Sequence, residues 1–132
     1  MRAALALTLA LTIACGTVTI SEDGRHPVTL TVVDSLTPAT VGGHSIGART
    51  VSMSEIVILP EYATFTPLVA HELCHTVQWR QLGAAGFLIT YAHQVLTFGY
   101  WDAPLEVECR AAEGDEWYLA WADDLIGTLD WR

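Results

Sequence analysis

The sequence predicts a small α+β domain in which a mostly antiparallel sheet is followed by three helices, and three observations carry that expectation. β-branched residues crowd the chain from Thr17 to Leu59, Pro and Gly punctuate helical stretches beyond Tyr62, and 132 residues hold one hydrophobic core rather than two. Thr17-Val18-Thr19-Ile20 reads as a strand and Ser21-Glu22-Asp23-Gly24 as a turn. Val28 to Val33 alternates as a second strand, and Pro38 with Gly42-Gly43 marks a loop. Two further β segments follow, Thr50-Val51-Ser52-Met53 and Glu55-Ile56-Val57-Ile58-Leu59, the latter stopped by Pro60. Thr66 is placed to cap a first helix with Pro67 in its first turn, and Gly83 suits its end. A second helix is expected from residue 84 to 98, closed by Gly99. A third starts near Pro104 and sets Trp117, Trp121 and Leu125 four residues apart, so that one stripe faces the core.

Composition narrows the function classes. Fifteen acids stand against six arginines and no lysine, for a net charge of −9, which argues against nucleic acid or an anionic membrane surface as the main partner. Nine of the acids lie between Asp102 and Asp130, opposed only by Arg110 and Arg132. The mean hydropathy of +0.35 is high for a soluble domain, and part of the apolar excess sits at the N-terminus. There a single Arg2 precedes an uncharged run that reaches Ala14-Cys15, the pattern of an export signal. The expected organisation is thus a signal over residues 1–14 and one domain over 15–132, exported and secreted or held at the cell envelope. The end of the run also resembles a lipoprotein signal, with Cys15 as the lipidated residue and Thr12 where leucine is usual. Membrane contact is then expected only through that lipid or an uncleaved signal. The alternation of Leu5, Leu7, Leu9, Leu11 and Ile13 equally suits a half-buried strand.

The first helix carries His71-Glu72-Leu73-Cys74-His75, an HExxH motif. Histidines four apart share one helix face and can converge on one metal ion, while Glu72 stands beside that ion to handle a proton. Two imidazoles and a carboxylate suit a single zinc ion, which leaves a position open for water and acidifies it toward neutrality. The third ligand is sought downstream among His93, Asp102, Glu106 and Glu108. Glu106 is preferred because it opens the helix after Pro104, whereas Glu108 projects from nearly the opposite face and His93 reads as structural or exposed.

His71 to Gln78 resembles the HELxHxxQ segment of short zincin-like metallopeptidase domains, including those in proteins of extracellular contractile injection systems. Pro104 to Ala112 is similar to the ExEA segment of gluzincins, whose first glutamate is the third zinc ligand. With the apolar helix between them these segments span about half the chain, and mini-gluzincins are nearest in size. The resemblance implies a zincin-like fold, a peptide or protein substrate, His71, His75 and Glu106 as zinc ligands, and Glu72 as general base. It also implies an extended substrate lying along the strand before the active helix, here Glu55, Ile56, Val57 and Ile58, and a tyrosine near the oxyanion, for which Tyr91 and Tyr100 are available. Related families orient the first histidine with an aspartate at the position of Arg110, which leaves Asp102 or Glu113 for that task. Cys74 and Cys109 each follow a proposed ligand by three residues, so a disulfide between them would tie the two ligand helices together. The rival reading is a zincin-like binding or assembly module of weak or no activity at the cell envelope.

Overall fold

The computed structural model describes residues 10–13, 16–19, 21–36 and 47–129. Within them the architecture is α+β, a three-stranded sheet followed by helices, as the β-to-helix switch near Tyr62 predicts. The expected loop around Pro38 and Gly42-Gly43 lies outside the described residues, as do Cys15 and most of the segment read as an export signal. Its described part, Ala10–Ile13 (β1), pairs antiparallel with Gly16–Thr19 (β2) as a separate two-stranded sheet, so the first expected strand does not join the main one. Among the described residues no helix is long and apolar enough to cross a membrane.

The main sheet contains Thr29–Val32 (β3), Ala48–Ser52 (β4) and Glu55–Ile58 (β5), in the order β3-β5-β4. β4 and β5 form an antiparallel hairpin across Met53 and Ser54, with a bulge between Thr50 and Ser52. β3 runs parallel to β5, so the sheet is mixed, with one antiparallel and one parallel pairing. Alternation decides which residues enter the core: Leu30, Ile56 and Ile58 point to the helical layer, where they meet Val69, Leu73, Trp121 and Leu125.

The helical half begins after a short 3₁₀ turn, Pro60–Tyr62. Helix α1 (Thr66–Phe98) is interrupted at Gly83, whose φ of 74° and ψ of 164° are open essentially to glycine alone, and the break gives the two arms that the sequence predicts on either side of it. Phe65 rather than Thr66 occupies the cap position, and the Thr66 hydroxyl instead donates to Asp123 Oδ1 at 2.8 Å, tying α1 to the last helix. The expected third helix is two: α2 (Pro104–Ala112) and α3 (Glu116–Gly127). Gly114 and Asp115 separate them, the Asp115 carboxylate capping α3 by accepting from the amides of Trp117 and Tyr118. Trp121 and Leu125 are buried, as their spacing predicts, and the Trp117 indole donates to Asp23 O at 2.8 Å.

His26 is locked into this core. Its Nε2 donates to Met53 O at 2.7 Å, its ring meets Trp121 edge-on at 5.2 Å, and its Nδ1 is buried without a partner. Burial lowers its pKa below the usual 6.5 despite the Met53 carbonyl, with Arg80 adding in the same direction. A histidine with a depressed folded-state pKa binds its proton more readily when unfolded. Its contribution to stability is therefore full above pH 6.5 and is lost as pH falls toward the depressed value. Urea unfolding between pH 7.5 and 5 is expected to show a steeper loss of stability for the wild type than for His26→Gln. Equal slopes would remove His26 from the account.

Candidate metal centre

The first arm of α1 carries His71 and His75 one turn apart and facing α2, and both imidazoles are buried. α2 opens at Pro104, which puts Glu106 in its first turn, pointing back at α1, while Glu108 faces outward. The Glu106 carboxylate bridges the two rings, with Oε2 3.0 Å from His71 Nε2 and Oε1 3.2 Å from His75 Nε2, and the two Nε2 atoms are 3.1 Å apart. Tetrahedral zinc with bonds near 2.05 Å separates its ligand atoms by about 3.3 Å, so the three side chains already stand nearly where one ion would place them. His71, His75 and Glu106 form a buried group that can hold a metal ion. His93 and Asp102, the other candidates weighed from the sequence, are exposed and outside it.

The surrounding bonds fix the donors. His75 Nδ1 lies 2.9 Å from Gln78 Oε1, an oxygen that only accepts, so Nδ1 keeps a proton, and when the Nε2 proton shared with Glu106 is lost the Nε2 lone pair is the one that faces the group. Gln78 Nε2 in turn donates to Leu105 O at 3.0 Å, which locks α1 to the start of α2. Gln94 Oε1 accepts from the Leu105 amide at 2.8 Å. The part Gln78 plays was not assigned from sequence. Its position three residues after His75, on the same helix face, is the signal that marks it.

His71 Nδ1 is buried and unpaired, with Glu113 Oε1 at 3.6 Å, too long for a hydrogen bond but the carboxylate that faces it. Of the two acids considered for orienting His71, Glu113 is the one at the ring, and Arg110 instead lays its guanidinium 4.4 Å over the Trp101 ring while donating to Trp101 O.

Burial alone would raise the Glu106 carboxyl. The hydrogen bonds from His71, His75 and Tyr91 outweigh that and hold it well below the usual carboxylate range. His75 moves the other way: burial lowers it, yet Glu106 and Glu72 bring its pKa above 6.5. A buried carboxylate that stays ionised between two imidazoles is a site built for a cation.

Tyr91 donates to Glu106 Oε1 at 2.7 Å, and burial, then the charge of Glu106, pushes its hydroxyl and that of Tyr100 far above the ordinary tyrosine value. The Tyr91 proton is thereby committed to the ligand carboxylate rather than to a reacting oxygen. Tyr91→Phe is expected to weaken binding of a divalent ion about 10- to 100-fold, measured by competition with a chromophoric chelator, because it removes a bond that orients a ligand. Unchanged affinity would show that Glu106 is held without it.

Glu72 is buried beside this group, with its Oε2 accepting from Thr50 Oγ1 at 2.6 Å. The same hydroxyl also reaches Glu72 O at 2.9 Å, so β4 holds the carboxylate and its helix turn together. His71, Glu72, His75 and Glu106 line one cleft of about 450 Å³, whose further walls include Trp79, Phe87, Leu88 and Trp101. Cys74 and Cys109 are joined by a disulfide that links α1 to α2 beneath the group, with Cys109 Sγ 3.4 Å from His75 Nδ1.

The expected substrate strand is corrected. Glu55, Ile56, Val57 and Ile58 form β5, the central strand, whose backbone is paired on both sides and has no free edge. Among the described residues, the strand with an unpaired edge in this sheet and residues in the cleft lining is β4, through Ala48, Arg49 and Thr50.

No family model matches the chain, and no curated protein or solved structure matches it either.

Proposed function

We propose that this protein is an exported zinc-dependent peptidase of the gluzincin kind. The observation that carries the reading is the buried His71–His75–Glu106 group with a second carboxylate, Glu72, outside that group but in the same cleft. A purely structural metal site has no use for a base beside an open face. The donor set of two imidazoles and one carboxylate favours zinc among the common divalent ions. Bound there, zinc supplies a Lewis acid that polarises a peptide carbonyl and makes water a better nucleophile.

The chain does the rest. Glu72 takes the proton from the attacking water and returns it to the leaving amine. Thr50 Oγ1 occupies Glu72 Oε2, which leaves Oε1 for that proton. The free edge of β4 offers backbone donors and acceptors to an extended peptide, laying its scissile bond along the row of Glu72 and the ligands. Tyr91 and Gln78 keep the ligands in place. Arg2 and the uncharged run after it support export, and so does the Cys74–Cys109 bridge, which suits an oxidising compartment.

The test is zinc content of the purified chain by mass spectrometry together with cleavage of an unbiased peptide mixture, with and without 1,10-phenanthroline. One zinc per chain and chelator-sensitive cleavage are expected. Zinc without cleavage would replace the peptidase by a metal-bearing binding module, and absence of zinc would remove both.

A further inference from the structure

Arg49 is the charge in the metal cleft for which the fold supplies no partner. It belongs to β4 and lines the cleft next to Thr50, the residue that holds Glu72. The other charged side chains of the cleft wall are engaged: Glu106 with both imidazoles, Glu72 with Thr50, Glu113 facing His71, and Arg110 over Trp101. Arg49 is half-buried, yet its guanidinium makes no hydrogen bond or ion pair with any described residue, and its Nη2 is enclosed without a partner. Arg25, by contrast, reaches two carboxylates, Asp23 and Asp124. The segment just before β4, residues 37–46, contains no Asp or Glu. A guanidinium partly withdrawn from water with unpaired donors is unfavourable, and a carboxylate is the partner its planar fork of donors matches.

The lie of β4 along α1 puts this cation close to the reacting bond. Gly47, just before the strand, sits so close to the Tyr62 ring that it leaves no room for a Cβ. Thr50 stands at Glu72, and Met53, just after the strand, packs against the Trp79 and Phe87 cluster. The strand therefore runs beside α1 in the same sense, and Arg49 lies one strand residue, about 3.3 Å, to the Tyr62 side of Thr50. A peptide added to the unpaired edge of β4 sets its residues opposite those of the strand, with paired side chains on one face and Cβ atoms about 5 Å apart. The residue laid opposite Arg49 thus presents its side chain to the guanidinium. The net charge of −9 opposes an acidic peptide at long range. Salt screens that repulsion beyond about 8 Å, and a cross-strand pair is closer than this.

We propose that Arg49 is a specificity-determining residue that binds a carboxylate of the substrate within about two residues of the scissile bond, as a cross-strand ion pair on β4. The carboxylate is that of an Asp or Glu side chain or of the peptide's C-terminus. The inference rests on the peptidase reading for the placement of the substrate, and its test separates the two.

The test is titration calorimetry with N-acetylated, C-amidated hexa-alanine in which one Glu is moved through every position, with the matching Gln peptides and with hexa-alanine bearing a free C-terminus. EDTA is present, which stops turnover and prevents the metal from taking the carboxylate. At one position Glu is expected to bind about tenfold more tightly than Gln, an advantage lost in Arg49→Gln and partly kept in Arg49→Lys. An Arg49-dependent advantage of the free C-terminus instead would support the proposal and assign the terminal carboxylate. In the zinc-loaded protein, cleavage sites in an unbiased peptide mixture are expected to carry Asp or Glu at one fixed position in the wild type and Lys or Arg there in Arg49→Glu. Equal binding of Glu and Gln peptides at every position, with no gain from a free C-terminus, overturns the proposal. So does a preference that survives Arg49→Gln, which would give the carboxylate to Arg110. Arg49-dependent binding without cleavage keeps the proposal and removes the peptidase, and cleavage indifferent to acidic residues does the reverse. Arg49→Gln is expected to melt no lower than the wild type, because it removes an unpaired charge. A lower melt with an unaltered preference would make Arg49 structural and overturn the proposal also.

Discussion

Glu72→Gln is expected to lower peptide cleavage about 10²- to 10⁴-fold while the protein retains its zinc. The size follows from what the substitution removes and what it keeps. Glutamine has the shape of Glu72 and still offers an oxygen to Thr50 Oγ1, the contact that holds the side chain at 2.6 Å. It cannot take a proton. The three ligands are untouched, since Glu72 lies outside the His71–His75–Glu106 group. Loss should appear in kcat, with KM nearly constant, because the base acts on the reacting water and not on binding of the substrate backbone to β4. Thr50→Val gives a companion measurement: with no hydroxyl to hold Oε2, activity should fall by less than in Glu72→Gln, because the base remains but is less well oriented. Wild-type cleavage in Glu72→Gln at matched zinc content would eliminate general-base catalysis by this residue.

The residues that make this centre were legible because their geometry is local. His71 and His75 share a face by helical spacing alone, and Glu106 is separated from Glu108 by the turn that Pro104 begins. Gly83 marks the break in α1 because its conformation excludes other residues. The split between α2 and α3 was missed although its signal is local too: Gly114 stops one helix and Asp115 caps the next, and the tryptophan stripe, which lies wholly in α3, masked it.

Strand order was a different matter. The two-residue turn at Met53 and Ser54 makes β4–β5 a hairpin, but which of its strands is central depends on where β3 docks, a contact between distant parts of the chain. The hint was compositional. β4 carries Arg49, Thr50 and Ser52, the polar load of an edge strand, while Ile56-Val57-Ile58 is the apolar run of a strand flanked on both sides.

The Cys74–Cys109 bridge should rank with Glu72 in consequence, for stability rather than chemistry. Both sulfurs are buried, and the bridge closes a loop of sequence separation 35 between α1 and α2. Loop-closure entropy for such a loop corresponds to about 4 kcal/mol of stabilisation. For a domain of this size that predicts a fall in Tm of roughly 10–20 °C in Cys74→Ala/Cys109→Ala. A metal held by the group would join the same two helices, since His71 and His75 come from α1 and Glu106 from α2. With a metal bound, disulfide and metal would be two cross-links in parallel, each preorganising the other. The loss should be largest in the zinc-free variant and partly recovered at saturating zinc, because an ion that binds only the folded state stabilises it by mass action. By the same linkage the variant should bind zinc more weakly than the wild type, the helix that presents Glu106 being less firmly placed. Thermal melts with and without zinc, combined with chelator competition, measure both quantities on one pair of proteins. A zinc-free variant melting within a degree or two of the wild type would mean that Gln78, Gln94 and the packing of α2 hold the ligand helices together unaided.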